Sequence, residues 1–151
     1  MDILKYRDGL IGKEGAVYVG RPKKYEYKEG ELLIGLGNPF SWKQSQFVKF
    51  QVKNLEECLV QYRAWLYKLV KMLVNIDEEK INTLSGWEVN YCHKFVDLAK
   101  AIEKAEVDSL VCWCTNIKGY SHELDDKGKE VCHAQILYKA CIWYNQAKVC
   151  S

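Results

Sequence analysis

An uninterrupted apolar segment, Leu110-Val111-Cys112-Trp113-Cys114, constrains the fold of this chain more than any other feature. It has the length of a strand, and it lacks the polar–apolar alternation of a sheet with one face in water. Such a run is typical of an interior strand of a parallel sheet, which helices cover on both faces. We therefore expect helices on both sides of a small sheet.

Three segments have the apolar spacing of amphipathic helices. The first begins at Asn54, where Glu57 completes a capping-box pattern, and it continues for about five turns. The second covers residues 87–106 and the third residues 130–147, and residues 77–84 form a shorter helix. The predicted inward positions of the two long C-terminal helices are Val89, Cys92, Val96, Ala99 and Ile102, and Ala134, Leu137, Cys141 and Tyr144.

Residues 16–20 and 47–52 are the other main strand candidates. The resulting order, in which strands and helices are mixed along the chain, predicts an α/β fold: a small sheet flanked by helices, with long loops at 21–45 and 115–129 after the strands. The length of 151 residues predicts a single domain, 1–151, in which residues 1–15 form an N-terminal arm or hairpin. Ligands of such open sheets bind beyond the carboxyl ends of the strands, where both long loops begin.

Composition narrows the classes of partner. The net charge of +2 is too small to predict nucleic-acid binding. No apolar stretch is long enough to cross a membrane, and we expect a cytoplasmic protein with no membrane partner and no cofactor. The seven cysteines are odd in number and no export signal precedes them, so we expect free thiols, with Cys58, Cys92 and Cys141 in the core.

Three polar residues are candidate ligand contacts. Arg21, held before Pro22 at a strand end, has a guanidinium that fits a phosphate or carboxylate, and an internal salt bridge is the alternative. Asn38 could contact a base or ribose edge, or it could form an Asx turn before Pro39. Arg63 lies off the apolar stripe of its helix, where a plain surface charge is the alternative.

Cys112, Cys114, Cys132 and His133 admit three interpretations. All four are residue types that bind zinc, but the usual two-residue knuckle spacing is missing, and we expect no metal. Cys114 or Cys132 could instead be a nucleophile that His133 activates, because a helix start lowers the pKa of a thiol. The third interpretation is that the thiols pack internally and His133 makes a hydrogen bond.

Two loop features have weaker functional interpretations. Residues 122–126 contain a histidine and three acidic residues that could act as a general base or hold a metal, and a solvated turn is the alternative. The segment 23–46 carries aromatic residues that could contact a protein partner: Tyr25, Tyr27, Phe40 and Trp42. The alternative is that these rings pack over the sheet.

Five short motifs occur in a fixed order: Gly20-Arg21-Pro22, Gly37-Asn38-Pro39-Phe40, Tyr62-Arg63, Cys112-Trp113-Cys114 and Cys132-His133. This set resembles a family of uncharacterised small domains of bacteria and phages. The resemblance implies a Rossmann-like α/β fold, for which a nucleotide-like ligand is the usual expectation. Two intervals are longer here than in that family, between Pro22 and Gly37 and between Cys114 and Cys132.

Three functions follow as hypotheses. In the first, the chain binds a small nucleotide- or ribose-derived anion through Arg21, Asn38 and the helix start at Cys132-His133; in a phage it could thereby sequester a host immune signalling nucleotide in the host cytoplasm. In the second, it is a nucleoside- or nucleotide-processing hydrolase or transferase that uses Cys114, Cys132 and His133, or the acids Asp125 and Asp126. In the third, it inhibits a host protein through residues 23–46. A homo-oligomer is compatible with all three.

Overall fold

The computed structural model describes residues 2–5, 14–20, 35–43, 49–112 and 130–149. Its strands are β1 (Asp2–Lys5), β2 (Ala16–Tyr18), β3 (Phe40–Ser41), β4 (Phe50–Gln51) and β5 (Ser109–Cys112). Its helices are α1 (Leu55–Asn75), α2 (Glu78–Ile81), α3 (Gly86–Glu103) and α4 (His133–Val149). The predicted α/β class, a small parallel sheet flanked by helices, is confirmed.

The main sheet has the order β1-β5-β2, and both pairings are parallel. All four residues of β5 are buried, as its apolar sequence predicts for the interior strand. The predicted arm or hairpin over residues 1–15 is wrong for residues 2–5, which pair in parallel with β5. This pairing forms because it buries Ile3 completely and because β5 supplies partners for the backbone groups that lose water on burial.

Helix α1 begins as its sequence predicts. The Asn54 side chain accepts a hydrogen bond from the backbone N–H of Glu57 at 2.8 Å, and the Glu57 carboxylate accepts one from the backbone N–H of Lys53 at 3.1 Å. Its buried face is the predicted stripe, with Tyr62, Leu66 and Leu69 at its centre. The helix ends at Ile76, whose φ of 49° and ψ of 49° place it in the left-handed region.

Helix α3 starts one residue before the predicted position, at Gly86, and its buried face is rotated from the predicted one, with Cys92 and Ala99 common to both. The buried residues are Tyr91, Cys92, Phe95, Leu98 and Ala99, while Val89, Val96 and Ile102 are half-buried. Phe95 packs edge-on against Tyr144 of α4, with 5.8 Å between ring centroids. The contact with α4 explains the rotation, because larger rings fill the space between the two helices.

Helix α4 packs against α1, α3 and β5. Its inner face includes the predicted Ala134, Leu137 and Cys141, all fully buried. The predicted core thiols Cys58 and Cys92 are buried as well. A second, two-residue parallel pairing joins β3 to β4, where Phe40 stacks on Phe50 with 4.7 Å between ring centroids.

Candidate functional site

Two separate parts of the chain meet at the carboxyl edge of the main sheet. Strand β5 ends at Cys112, β2 ends at Tyr18, and α4 begins at His133. The His133 imidazole Nε2 lies 2.7 Å from the carbonyl oxygen of Val19, so Nε2 carries the proton and donates it. This bond fixes the segment that leads from β2 towards Arg21 against the first turn of α4.

A buried thiol–imidazole cluster lies beside this bond. The Sγ atoms of Cys112 and Cys132 are 2.8 Å apart, and the ligand atoms of Cys112, Cys132 and His133 all lie within 4.8 Å of one another. Both thiols are fully buried and His133 is 6% exposed. A thiol with no exposed surface cannot attack a substrate in solution, so this conformation gives no support to Cys132 as a nucleophile.

The chain itself caps the start of α4. The Gln135 side-chain oxygen accepts hydrogen bonds from the backbone N–H groups of Val131 at 2.7 Å and Cys132 at 3.0 Å. The backbone N–H of Ala134 donates to Cys132 Sγ at 3.4 Å. These groups are the donors that an anion would use at a helix start, so a bound anion would have to compete with the internal caps.

Asn38 is buried, and its side chain is built into the protein. Its Oδ1 accepts a hydrogen bond from the backbone N–H of Phe40 at 2.8 Å, and its Nδ2 donates to Cys58 Sγ at 3.2 Å. The Cys58 thiol in turn donates to the Phe40 carbonyl at 3.1 Å. The first of these bonds is that of an Asx turn, the alternative to ligand contact that the Gly-Asn-Pro sequence suggests.

Arg63 forms an ion pair on the helix surface with Glu130, just before α4. Lys139 contacts the same Glu130 oxygen from 3.1 Å. Burial raises the pKa of Glu130, but hydrogen bonds from its own backbone N–H and from Lys139, and the charge of Arg63, outweigh burial and lower the pKa overall. Two cations therefore share one carboxylate.

Several sequence candidates lie outside the described residues: Arg21, Pro22, Cys114, His122, Glu123, Asp125, Asp126, Tyr25 and Tyr27. Of the aromatic segment 23–46, Phe40 is buried. Trp42 is 44% exposed, and Lys43 Nζ lies 4.8 Å from its ring centroid.

The sequence-based expectations did not include two contributors to this edge. One is the backbone carbonyl of Val19, which has no side-chain signature. The other is Gln135, whose position three residues after Cys132 matches the spacing of a capping box and could have predicted its role. Tyr62, a buried residue of α1, also packs its ring edge-on against the His133 imidazole at 5.7 Å between centroids.

A surface pocket of about 280 Å³ lies elsewhere, between α1 and α3. Its lining residues are Leu73, Cys92, His93, Val96 and Asp97. Among the described residues, no helix is both long enough and apolar enough to span a bilayer.

The fold and this edge define a class of protein: a small α/β domain with a parallel sheet and a buried thiol–imidazole cluster where the central strand ends. The chain belongs to the family described as Domain of unknown function (DUF4326), whose model matches residues 3–143. The predicted membership in an uncharacterised domain family is thereby confirmed. Comparison with curated proteins and with solved structures finds no match.

Proposed function

We propose that this protein binds a small nucleotide- or ribose-derived anion at the carboxyl edge of its β1-β5-β2 sheet. The observation that supports the proposal is the 2.7 Å hydrogen bond between His133 Nε2 and the Val19 carbonyl. It joins the first residue of α4 to Val19, which follows β2 and precedes Gly20 and Arg21 in the sequence. Parallel strand ends beside a helix start are the usual place of ligands in open α/β sheets.

Electrostatics assigns different roles to the residues of this edge. The positive end of the α4 dipole favours an anion without a direct contact to the backbone N–H groups of Val131, Cys132 and Ala134, which already have internal acceptors. Direct recognition then depends on Arg21, whose planar guanidinium can bind two oxygens of one phosphate. His133 acts as a positioning residue, because its ring braces the strand end rather than facing solvent.

Binding without turnover is the form of this function that the described residues favour. Cys132, one of the two candidate nucleophiles, is fully buried and therefore shielded from a substrate. The other candidate, Cys114, lies outside the described residues. A cytoplasmic binding protein of this kind, in a phage, would withdraw a host immune signalling nucleotide from its receptor. Inhibition of a host protein through the exposed Trp42 is the competing function.

A thermal-shift screen tests the proposal. The intact chain is heated with ribonucleoside mono- and triphosphates, ADP-ribose and cyclic dinucleotides, each in turn. A ligand at one hundred times its Kd stabilises the folded state by about 2.7 kcal/mol, which raises Tm by several degrees. We expect such a shift for at least one nucleotide, its loss in Arg21→Ala, and its retention in Lys53→Ala, which removes an equal charge from an exposed position.

The fate of the nucleotide separates the three functions. Recovery of the unchanged compound after denaturation supports binding, whereas a chemically altered compound would replace the proposal with catalysis. No shift with any nucleotide, or an equal shift in Arg21→Ala, would overturn the proposed site.

A further inference from the structure

We propose that Cys112, Cys132 and His133 form a zinc-binding site that pins the end of β5 to the start of α4. The proposal is independent of nucleotide binding and rests on three donors that the fold brings together. Two thiols and one imidazole are the side chains that zinc prefers in protein sites. Their ligand atoms lie within 4.8 Å of one another.

The donor atoms are close enough to share an ion after a small shift of the two sulfurs. In tetrahedral coordination, with Zn–S of about 2.3 Å and Zn–N of about 2.0 Å, the donor atoms lie roughly 3.3–3.8 Å apart. The two sulfur atoms are 2.8 Å apart, which is closer than in such a site, and all three donor atoms lie within 4.8 Å of one another. A separation of the sulfurs by roughly 1 Å would admit the ion. Cys132 and His133 are adjacent in sequence, but α4 begins between them, and their donor atoms lie within 4.8 Å of each other.

The hydrogen bonds around the cluster resemble those that surround metal ligands in proteins. His133 Nε2 donates to the Val19 carbonyl, so Nδ1 is the ring nitrogen that carries no proton in the neutral imidazole. Histidines that bind metals ordinarily donate their second ring N–H in this way, often to a backbone carbonyl. Cys132 Sγ accepts a hydrogen bond from the Ala134 N–H at 3.4 Å, at the start of α4.

The burial of both cysteines and their separation along the chain indicate a structural rather than a catalytic metal site. Cys112 and Cys132 are 20 residues apart in the chain, and both are fully buried. A disulfide would also join them, with an S–S bond of about 2.03–2.05 Å. It would not require the imidazole that lies against them, with its ring held between Val19 and Tyr62. The presence of His133 as a third donor therefore favours a bound ion over a disulfide between the two cysteines.

Metal content of the intact chain is the first test. Protein purified without chelators and shown to be folded by circular dichroism is assayed for zinc and titrated with Co²⁺. We expect one zinc per chain, and a sulfur-to-cobalt charge-transfer band that Zn²⁺ abolishes. Absence of both zinc and this band in folded wild-type protein would overturn the proposal. So would a metal-free chain that is two hydrogen masses light, with Cys112 and Cys132 in one disulfide-linked peptide.

Variants assign the ion to these residues. Cys112→Ser, Cys132→Ser and His133→Gln should each weaken zinc affinity more than tenfold. Cys92→Ala removes a buried thiol on α3 and should leave zinc content unchanged. Zinc retained in all three cluster variants, or lost from folded Cys92→Ala, would contradict the assignment. If the cluster variants fail to fold, the wild-type cobalt spectrum and zinc assay still decide the question.

Discussion

The hydroxyl groups of Tyr62 on α1 and Tyr91 on α3 lie 2.6 Å apart in the core, and Tyr91 also donates to the Leu36 carbonyl at 3.2 Å. Because each hydroxyl has one proton, the bond to Leu36 commits the Tyr91 proton, and Tyr62 must donate to Tyr91. Burial raises the pKa of both phenols, so both remain protonated across the physiological range. The chain of bonds connects both helices to the segment that precedes Asn38.

The direction of these bonds predicts unequal effects of two matched substitutions. Tyr91→Phe removes the donor to Leu36 and the acceptor of Tyr62, and should lower the free energy of unfolding by about 1–3 kcal/mol. Tyr62→Phe removes one bond and leaves the other intact, so its cost should be about 0.5–1.5 kcal/mol. Urea denaturation of both variants measures the difference, and a larger loss in Tyr62→Phe would contradict the assigned direction.

Asn38→Ala separates a structural from a ligand-contacting role of this side chain. The substitution removes the acceptor of the Phe40 N–H and the donor to Cys58, and should destabilise the protein by about 1–3 kcal/mol without any ligand present. Asn90→Ala, at an exposed position of α3, is the matched control and should change stability by less than about 0.5 kcal/mol. Equal denaturation midpoints for the two variants would contradict the structural role and would favour a ligand-contacting role of Asn38.

Local signals in the sequence predict much of this fold, and pairings between distant residues account for what they miss. The Asn54 cap and the apolar run into Cys112 depend on neighbouring residues, so helix α1 and strand β5 are predictable. Strand β1 was not predicted, because only its parallel pairing with β5 makes Asp2–Lys5 a strand. On α3, apolar residues occupy two adjacent faces, and packing against α4 selects the face with Tyr91 and Phe95.

The same distinction applies to the candidate site. Their position at a predicted helix start identifies Cys132 and His133 as candidate site residues. The 2.8 Å contact of Cys132 with Cys112, however, depends on how β5 and α4 pack. Spacing rules for zinc knuckles describe ligands that are close in sequence, and they have no counterpart for donors brought together by a crossover. The Val19 carbonyl is invisible to residue-type patterns because every residue has one.

Glu88 should make stability depend on pH. Its carboxylate accepts hydrogen bonds from the Trp65 indole at 3.1 Å and from the Ser85 hydroxyl at 2.9 Å. Burial raises the pKa of Glu88, but these bonds outweigh burial and lower the pKa below the ordinary value of 4.5. A lowered folded-state pKa stabilises the protein above the unfolded pKa, and this stabilisation is lost as the pH falls through the folded pKa.

Glu88→Gln tests this dependence. At pH 7 the variant should lose about 0.5–1 kcal/mol of stability, since partial exposure screens the charge. As the pH falls below 5, the free energy of unfolding of the variant should decrease less than that of the wild type. Denaturation midpoints at a series of pH values compare the two proteins, and parallel curves would show that Glu88 is not the group responsible.

Cys92 should resist alkylation in the folded protein. Burial, helped by the nearby charge of Glu88, raises the pKa of this thiol from 9.0 to about 11. The thiolate fraction at pH 8 is therefore about one hundredth of that in the unfolded chain, and the alkylation rate should fall at least as far. Iodoacetamide labelling followed by peptide mass spectrometry, with and without urea, gives the ratio. Similar labelling rates in the two conditions would refute the raised pKa.

Ile76 offers a stabilising substitution. This residue ends α1 in the left-handed region with φ at 49°, its side chain is 74% exposed, and a β-branched residue is strained in that conformation. Ile76→Gly relieves the clash of Cβ with the backbone and should stabilise the protein by about 0.5–1 kcal/mol, after the greater freedom of glycine in the unfolded chain offsets part of the gain. Ile76→Ala retains Cβ and serves as the control, so a glycine variant no more stable than the alanine variant would show that the left-handed conformation is not under strain.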